Sequence, residues 1–203
     1  MFWIKFGILL TGFLYAGLLP HSVRKVLQHM EFDPKKQSLS FLSNKVLYGE
    51  KFKKGYKRLL LVAALLNYSF FWLLSKHYDL GEHADYMRYV DYSFAFLAIL
   101  AFIPHNIYPY SFKHLGTTIQ RFFHNVFAVL VFLTLSVMII TFQVAVWPDN
   151  YFLGLSGLII VSVILIMVII SMILNGINGV TEILFINGIS IWSIFTTIIT
   201  IMI

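Results

Sequence analysis

The chain has 203 residues, of which 59% are hydrophobic and only 12% are charged, and its mean hydropathy is +0.82. A soluble domain carries about 25% charged residues, so this composition excludes an ordinary globular protein and indicates bilayer-spanning helices. We interpret the formal net charge of +6 as a signal for membrane orientation and anionic lipid rather than for nucleic acid. The absence of cysteine excludes disulfides, thiolate metal sites and a cysteine nucleophile.

Six apolar segments follow one another along the chain. They cover residues 2–19, 59–74, 89–103, 122–146, 155–174 and 183–203. The first is expected to end at Pro20, and the second and third to extend into flanking aromatic residues such as Tyr56 and Tyr86. Because lipid requires every backbone polar group to be satisfied within its own segment, we expect an all-α, polytopic membrane bundle of six transmembrane helices. No repeat or linker is visible, so residues 1–203 are predicted to form one domain.

The basic residues are distributed unequally between the two sides of these segments. The loop 20–58 contains ten lysines and arginines, and Lys113 and Arg121 lie on the same side, whereas the opposite side has only Lys5, Lys76 and Arg88. The positive-inside rule therefore predicts a cytoplasmic basic loop and two non-cytoplasmic termini. A bacterial plasma membrane is the expected location, although an organellar membrane is equally compatible with this pattern.

The basic loop contains a possible surface helix. Residues 38–58, SLSFLSNKVLYGEKFKKGYKR, place Leu39, Leu42 and Val46 at helical spacing before a cationic cluster. This pattern is typical of a short amphipathic helix on the inner leaflet, where each basic residue near anionic headgroups contributes about 1 kcal/mol. The alternative is a juxtamembrane loop that only enforces topology.

Histidines and an arginine gather between the third and fourth segments. Thr117 and Gln120 have capping-box spacing, which predicts that the fourth helix starts near residue 118. Arg121 then lies three residues before His124, so both side chains share one helix face. Pro104 ends the third helix and places His105 at the same membrane surface.

An arginine with histidines at a helix N-terminus suits a phosphate or carboxylate. The sequence therefore predicts a lipid-headgroup or anion site at His105, His114, Arg121 and His124. The alternative is interfacial anchoring by the neighbouring aromatic residues Tyr108, Tyr110 and Phe112. A haem or metal site is not expected, because His105 and His124 lie at helix ends and no carboxylate is near, so we predict no cofactor.

The loop 75–88 offers a second candidate site. Its side chains include the ligand types that zinc or calcium accepts, namely His77, Asp79, Glu82, His83 and Asp85. No metalloprotease-like spacing is present, so a solvated loop is the favoured interpretation.

Polar residues within the apolar segments are also candidates. Asp91 is expensive to bury in lipid and is therefore a possible functional residue, unless it pairs with Arg88 near the membrane boundary. Asn67 is expected to donate or accept a hydrogen bond between helices. Close helix packing is predicted at the glycines of the last hairpin, Gly154, Gly157 and Gly188.

The run AFIPHN…HLGTTIQRFFHNVFAVLVFLTL has a span that ends in Phe-x-Pro and histidines that open the next span. In this it resembles the DRAM/FRAG-like and related uncharacterised six-span membrane proteins, and SFLSNKVLYG adds to a resemblance that covers residues 38–140. The resemblance implies six helices, a membrane or lipid-associated role without established catalysis, and His105, His114 and His124 as matching positions. The strongly basic first loop departs from the eukaryotic members, which place that loop on the non-cytosolic side.

Three classes of function remain. The favoured one is a non-enzymatic membrane protein that binds lipid headgroups, or that scaffolds a membrane complex with other subunits, because no nucleophile and base are paired. The second is a small-solute or ion transporter or channel, which only Asp91, Asn67 and the last glycines suggest. The third is a membrane-embedded metal-dependent hydrolase. It needs His105 or His124 near Asp91, which the predicted topology places on opposite membrane faces.

Overall fold

The computed structural model describes residues 2–28, 32–78, 80, 85–106, 108, 110 and 112–203. This part of the chain contains helices and no strand, so the predicted all-α fold is confirmed. The helices are α1 (Phe2–Leu27), α2 (Lys45–His77), α3 (Tyr86–Phe102), α4 (Leu115–Val146), α5 (Tyr151–Asn175) and α6 (Gly179–Met202), with 3-10 turns at Leu39–Ser43 and Phe112–His114.

Five of these six helices are long and apolar enough to cross a membrane, by length and composition. The remaining helix, α3, has 17 residues and is about 25 Å long at 1.5 Å per residue. Large apolar side chains stay exposed along α5, as at Ile166, Ile170 and Ile173. A soluble protein rarely exposes so much apolar surface, so the fold fits a helical membrane bundle.

The helices form a closed ring. Each packs against its neighbours in sequence, and α6 packs back on α1. Short approaches between helices occur at the glycines that the sequence predicts. A Cβ atom would lie 2.4 Å from the Trp147 Cα atom at Gly154, 2.3 Å from the Gln143 side chain at Gly157, and 2.3 Å from the Ile164 side chain at Gly188.

The ring has two ends, and one of them carries the basic loop. We call it the basic end; it contains the C-termini of α1, α3 and α5 and the N-termini of α2, α4 and α6. The prediction that the first helix ends at Pro20 is wrong, because α1 continues to Leu27. The last turns of α1 are stabilised by packing, since Val23 is buried together with Phe32 and Leu42. Tertiary contacts thus offset the hydrogen bond that the proline nitrogen cannot donate.

The predicted amphipathic helix also differs in the structure. Leu39 and Leu42 lie in the 3-10 turn and are buried, whereas Val46 follows in α2 and is 74% exposed, so the three do not share one face. Gly49 interrupts α2 directly after its first turn, with a φ of 83°, a conformation that glycine adopts without a Cβ penalty. The chain therefore folds inward before Lys45 instead of lying along the surface.

Residues 32–44 cover the basic end of the ring. The backbone N–H of Gly179 donates to the Gln37 carbonyl at 2.8 Å, and that of Val180 donates to the Pro34 carbonyl at 3.1 Å. These N–H groups belong to the first turn of α6, which has no partners for them within the helix. We call residues 32–44 the cover segment.

Opposite the basic end, aromatic rings fill the centre of the bundle. Phe70, Phe71, Tyr86, Phe142 and Trp192 are fully buried there, and Phe71 stacks on Trp192 with centroids 5.4 Å apart. With the amide of Gln143 oriented to satisfy both of its neighbours, its oxygen accepts from the indole N–H at 2.8 Å. We call this part of the bundle the aromatic half.

Candidate functional site

A cavity of about 510 Å³ lies between the helices, from the middle of the bundle to the basic end. All six helices and the cover segment contribute to its wall. Most of the wall is apolar, and its residues include Leu60, Ala63, Leu97, Leu100, Leu135 and Ile189. The volume lies within the range of about 300 to 1,000 Å³ that small-molecule sites occupy.

Three of the four predicted site residues meet in the wall of this cavity. His105, Arg121 and His124 all line it, and the two imidazole rings are in edge contact with centroids 5.1 Å apart. We call these three residues the histidine–arginine cluster. His114 does not take part. It precedes α4 at an exposed position that is not in the cavity wall, so the structure does not bring it together with the other three residues.

The predicted capping box is also absent, because its residues have other partners. The Gln120 side chain donates to the Pro104 carbonyl at 2.7 Å, and the Thr117 hydroxyl donates to the His114 carbonyl at 2.9 Å. Helix α4 consequently begins at Leu115 rather than near residue 118. Gln120 instead ties the N-terminus of α4 to the end of α3, and this brings His124 against His105.

His105 is held by the cover segment and by the start of α2. Its backbone N–H donates to the Ser43 hydroxyl at 2.6 Å, and its carbonyl accepts from the Asn44 side chain at 3.1 Å. The Phe41 ring packs against the imidazole with centroids 4.5 Å apart. The backbone and ring of His105 are therefore fixed, while its ring nitrogens remain available.

His124 and Arg121 are oriented by carbonyl groups in the α3–α4 connection. The His124 Nδ1 atom donates to the Ile103 carbonyl at 2.6 Å, which leaves Nε2 as an acceptor in the neutral ring. Arg121 donates through Nη1 to the Tyr108 carbonyl at 2.8 Å, and its guanidinium lies over the Tyr110 ring at 4.9 Å. Its Nε atom is left without a partner among the described residues.

The cluster therefore holds several buried polar atoms that lack hydrogen bonds. Both ring nitrogens of His105, Nε2 of His124 and Nε of Arg121 have no partner within the described part of the chain. An unsatisfied buried polar group costs about 1 to 3 kcal/mol, so four in one place favour a partner such as water or a polar ligand in the cavity. Burial, with further effects from His124 and Arg121, lowers the pKa of His105 to about 4, so this imidazole is neutral at pH 7.

An acidic residue that the sequence reasoning missed also lines the cavity. Glu182 lies in the first turn of α6, and its carboxylate accepts a hydrogen bond from the backbone N–H of Leu39 in the cover segment. Asn178 caps the same helix by accepting from the N–H of Thr181 at 3.2 Å. The signal that could have identified Glu182 is a single acid directly before the last apolar segment, at a helix start where the helix dipole favours negative charge.

The two other candidate residues lie away from the cavity. Asp91 is exposed on α3, eleven residues and about 16 Å before the C-terminus of that helix. Arg88 pairs with Asp85 at 3.2 Å rather than with Asp91. Asn67 is fully buried and donates to the Ser93 hydroxyl at 3.2 Å, which confirms the predicted interhelical hydrogen bond.

The metal hypotheses find no support in the described residues. Asp79, Glu82 and His83 of the loop 75–88 lie outside those residues, and within them no three metal-binding side chains come together. The two rings of the histidine–arginine cluster touch directly, so a haem would have to force them apart. Asp91 is too far from either ring for the histidine–aspartate arrangement of a hydrolase.

Comparison with known proteins gives no information about function, so the functional proposal depends on the geometry of the cavity and its residues. No protein-family model, curated protein or solved structure matches this chain. The resemblance to DRAM/FRAG-like proteins therefore stays a prediction.

Proposed function

We propose that this protein is a six-span membrane protein that binds an amphipathic ligand. The phosphate or carboxylate of the ligand contacts His105, Arg121 and His124, and its apolar part fills the cavity. One observation carries the proposal: four unpartnered polar atoms are collected at one end of a cavity whose remaining wall is apolar. Ligand sites combine a mainly apolar wall with a few convergent polar groups in this way.

The cluster provides both charge and hydrogen bonds for such a headgroup. Arg121 supplies a permanent positive charge and a free Nε–H donor. Neutral His105 offers one donor and one acceptor, while Nε2 of His124 accepts from a hydroxyl or a protonated oxygen. A phosphate ester or a carboxylate beside a donor, either a hydroxyl or an amine, matches these groups.

A lateral opening favours a ligand that arrives from the lipid phase. The second half of α5 has Val168 as its one buried residue, so it packs loosely on the bundle. Asn125, Val129 and Ile177 line the cavity and are also exposed at the surface, which places an opening between α4 and the end of α5. In a bilayer this opening faces the acyl chains, and a lipid can enter without crossing water.

The orientation follows from the charge distribution. We propose that the basic end faces the cytoplasm and that the termini lie on the other side, in a bacterial plasma membrane. Lysines and arginines of the loop 20–58 then lie on the cytoplasmic side of the membrane, where they attract anionic lipid. In this arrangement all six helices cross the membrane. Helix α3 is the shortest of them, and local thinning of the bilayer compensates for its length.

Binding is a better account than transport or scaffolding. The aromatic half closes the bundle above the cavity with five fully buried rings, so a continuous path across the bundle is lacking among the described residues. Scaffolding alone gives no reason for polar atoms without partners inside the protein. A ligand gives one.

The test is native mass spectrometry of protein extracted in mild detergent, with metal analysis of the same sample. We expect the wild type to retain a phospholipid and Arg121→Ala to reduce the retained fraction at least about tenfold, because one charge-assisted contact contributes about 1.5 to 3 kcal/mol. Arg88→Ala is the matched control, since that arginine lies at the opposite end and pairs with Asp85. Unchanged lipid retention in Arg121→Ala and His124→Ala, or stoichiometric zinc or haem, would refute the proposal.

A further inference from the structure

We infer that the ligand is a zwitterion, a phospholipid whose headgroup carries an amine as well as a phosphate, and that Glu182 binds the ammonium group. This inference rests on the proposed function, because it assumes that the phosphate occupies the histidine–arginine cluster. It adds a second contact site and a headgroup class to that function.

The first observation is the isolation of the Glu182 charge. Among the described residues, Glu182 is the one acidic side chain in the cavity wall. Its carboxylate accepts from the Leu39 N–H and makes no ion pair within the described residues. Lys36, which also borders the cavity, pairs instead with Asp33 at 3.6 Å near the surface. A carboxyl group in the cavity is thus left without a cation.

The second observation is energetic. Burial in the cavity disfavours the ionised form of Glu182, and a single neutral hydrogen bond and the helix N-terminus offset this loss of solvation only in part. A primary ammonium group supplies the missing positive charge and up to three N–H donors. An amine in the ligand therefore satisfies Glu182 in the way that a phosphate satisfies Arg121.

The third observation is that one short turn joins the two contact sites. Leu39 donates to Glu182, and Phe41, two residues later in the same 3-10 turn, packs its ring on His105. Two residues of a 3-10 helix advance by about 4 Å, so the carboxylate and the cluster flank the same short stretch of chain. We therefore place the phosphate and the amine of one headgroup at the two contact sites of this turn.

The charges across the cavity also select against other headgroups. A headgroup with a phosphate and no amine leaves Glu182 unpaired and adds a second negative charge to the cavity. A quaternary amine keeps the positive charge but has no N–H to donate. We therefore expect binding to decrease in the order phosphatidylethanolamine, phosphatidylcholine, phosphatidylglycerol when the acyl chains are identical.

The experiment measures retention of these three lipids by native mass spectrometry of the full chain in mixed micelles of equal composition. The wild type should retain phosphatidylethanolamine about tenfold better than phosphatidylglycerol, and Glu182→Gln should abolish this preference without weakening phosphatidylglycerol binding. The glutamine oxygen still accepts from the Leu39 N–H, so the cover segment keeps its contact. Glu50→Gln is the matched control, because Glu50 lies at the basic end, pairs with Lys45 and does not line the cavity.

The outcomes separate this inference from the proposed function. Equal retention of the three lipids by the wild type, or an unchanged preference in Glu182→Gln, overturns amine recognition and leaves the phosphate site intact. If Glu182→Gln does not fold, the retention of the three lipids by the wild type alone tests amine recognition. Retention of none of the three lipids, with no effect of Arg121→Ala, refutes the proposed function itself. Displacement of lipid by free phosphoethanolamine at equal concentration would overturn a lipid as the ligand.

Discussion

The same six helices build two different interiors. In the aromatic half, Phe70, Phe142 and Trp192 meet at the centre and leave no exposed side-chain surface. In the half near the basic end, smaller residues such as Ala63 and Ser190 occupy the inner positions and a cavity remains. The two halves differ in side-chain volume and not in the arrangement of the helices. A closed ring of six helices therefore has a central space that only large side chains fill, and smaller side chains leave a cavity there.

The two halves also differ in what their unpartnered polar atoms imply. The aromatic half contains hydroxyl groups without partners, at Tyr86, Thr196 and Thr197. These groups are neutral and do not line the cavity. In the other half the unpartnered atoms belong to imidazole and guanidinium groups that border open space. The unpartnered Nδ1 atom of His77 also lies outside the cavity, at the end of α2 opposite the basic end. Among the described residues, only the histidine–arginine cluster combines unpartnered atoms with a cavity, which is why we propose it as the binding site.

The largest effect is expected where the rings meet. Trp192→Ala removes a fully buried ring that contacts Phe70, Phe71 and Phe142, and should lower the free energy of unfolding by about 3 to 5 kcal/mol. Leu97→Ala, in the cavity wall, should cost less because that side chain already faces open space. Denaturant unfolding in a fixed detergent compares the two, and equal losses would contradict the distinction between the halves.

Two adjacent alanines of α2 give a sharper comparison. Ala64 is fully buried in the packed core, so Ala64→Leu should destabilise the protein by about 1 to 3 kcal/mol through overpacking. Ala63 borders the cavity, so Ala63→Leu should leave stability nearly unchanged and reduce lipid retention. Thermal unfolding and native mass spectrometry of both variants test this pair. Lipid retention that persists in Ala63→Leu at wild-type level would argue against the cavity as the site.

Acid should destabilise the cavity half through His105. Burial holds the pKa of His105 near 4 in the folded protein, below its ordinary value of about 6.5, so the unfolded chain binds the proton more readily. Stability from this group is complete above pH 6.5 and is lost as the pH falls towards 4, by on the order of 1 to 2 kcal/mol. Melting temperatures of the wild type and of His105→Gln, each measured at pH 7 and at pH 4.5, isolate the contribution of His105 to this loss of stability. An identical pH dependence in both proteins would refute this assignment.

The smallest effect is expected at the boundary between the halves. Ser93→Ala removes the hydroxyl that accepts from Asn67, and such interhelical hydrogen bonds contribute about 0.6 kcal/mol on average. Denaturant unfolding of Ser93→Ala should show a loss of that size. A loss above about 2 kcal/mol would mean that this polar contact, and not the ring packing, fixes α2 on α3.

Much of this architecture could be predicted from the sequence, because lipid imposes strong and local rules. Apolar length predicts the helices, and small residues predict the close approaches at Gly154, Gly157 and Gly188. The hydrogen bond of Asn67 follows from the cost of an unsatisfied amide in an apolar segment. Each of these conclusions depends on one segment or on one neighbouring pair.

The parts that could not be predicted depend on contacts between distant segments. The cover segment folds inward because its carbonyls accept from the first turn of α6, more than 140 residues later. Glu182 becomes a cavity residue through that same contact. Likewise, Gln120 uses its side chain on Pro104 and not on a capping box, and His114 is left outside. A pattern within one segment of the sequence does not predict contacts between residues that are far apart in the chain.

The closure of the ring between α1 and α6 has a consequence for biosynthesis. A Cβ atom at Gly12 would lie 2.1 Å from the Thr197 hydroxyl, and the Ser193 hydroxyl donates to the Gly12 carbonyl at 3.2 Å, so the seam between these helices is tight and polar. Because α6 follows the other five helices in chain order, this seam can close only after α6 has been synthesised. Until then the inner faces of α1 and α5 lack the helix that separates them in the folded ring.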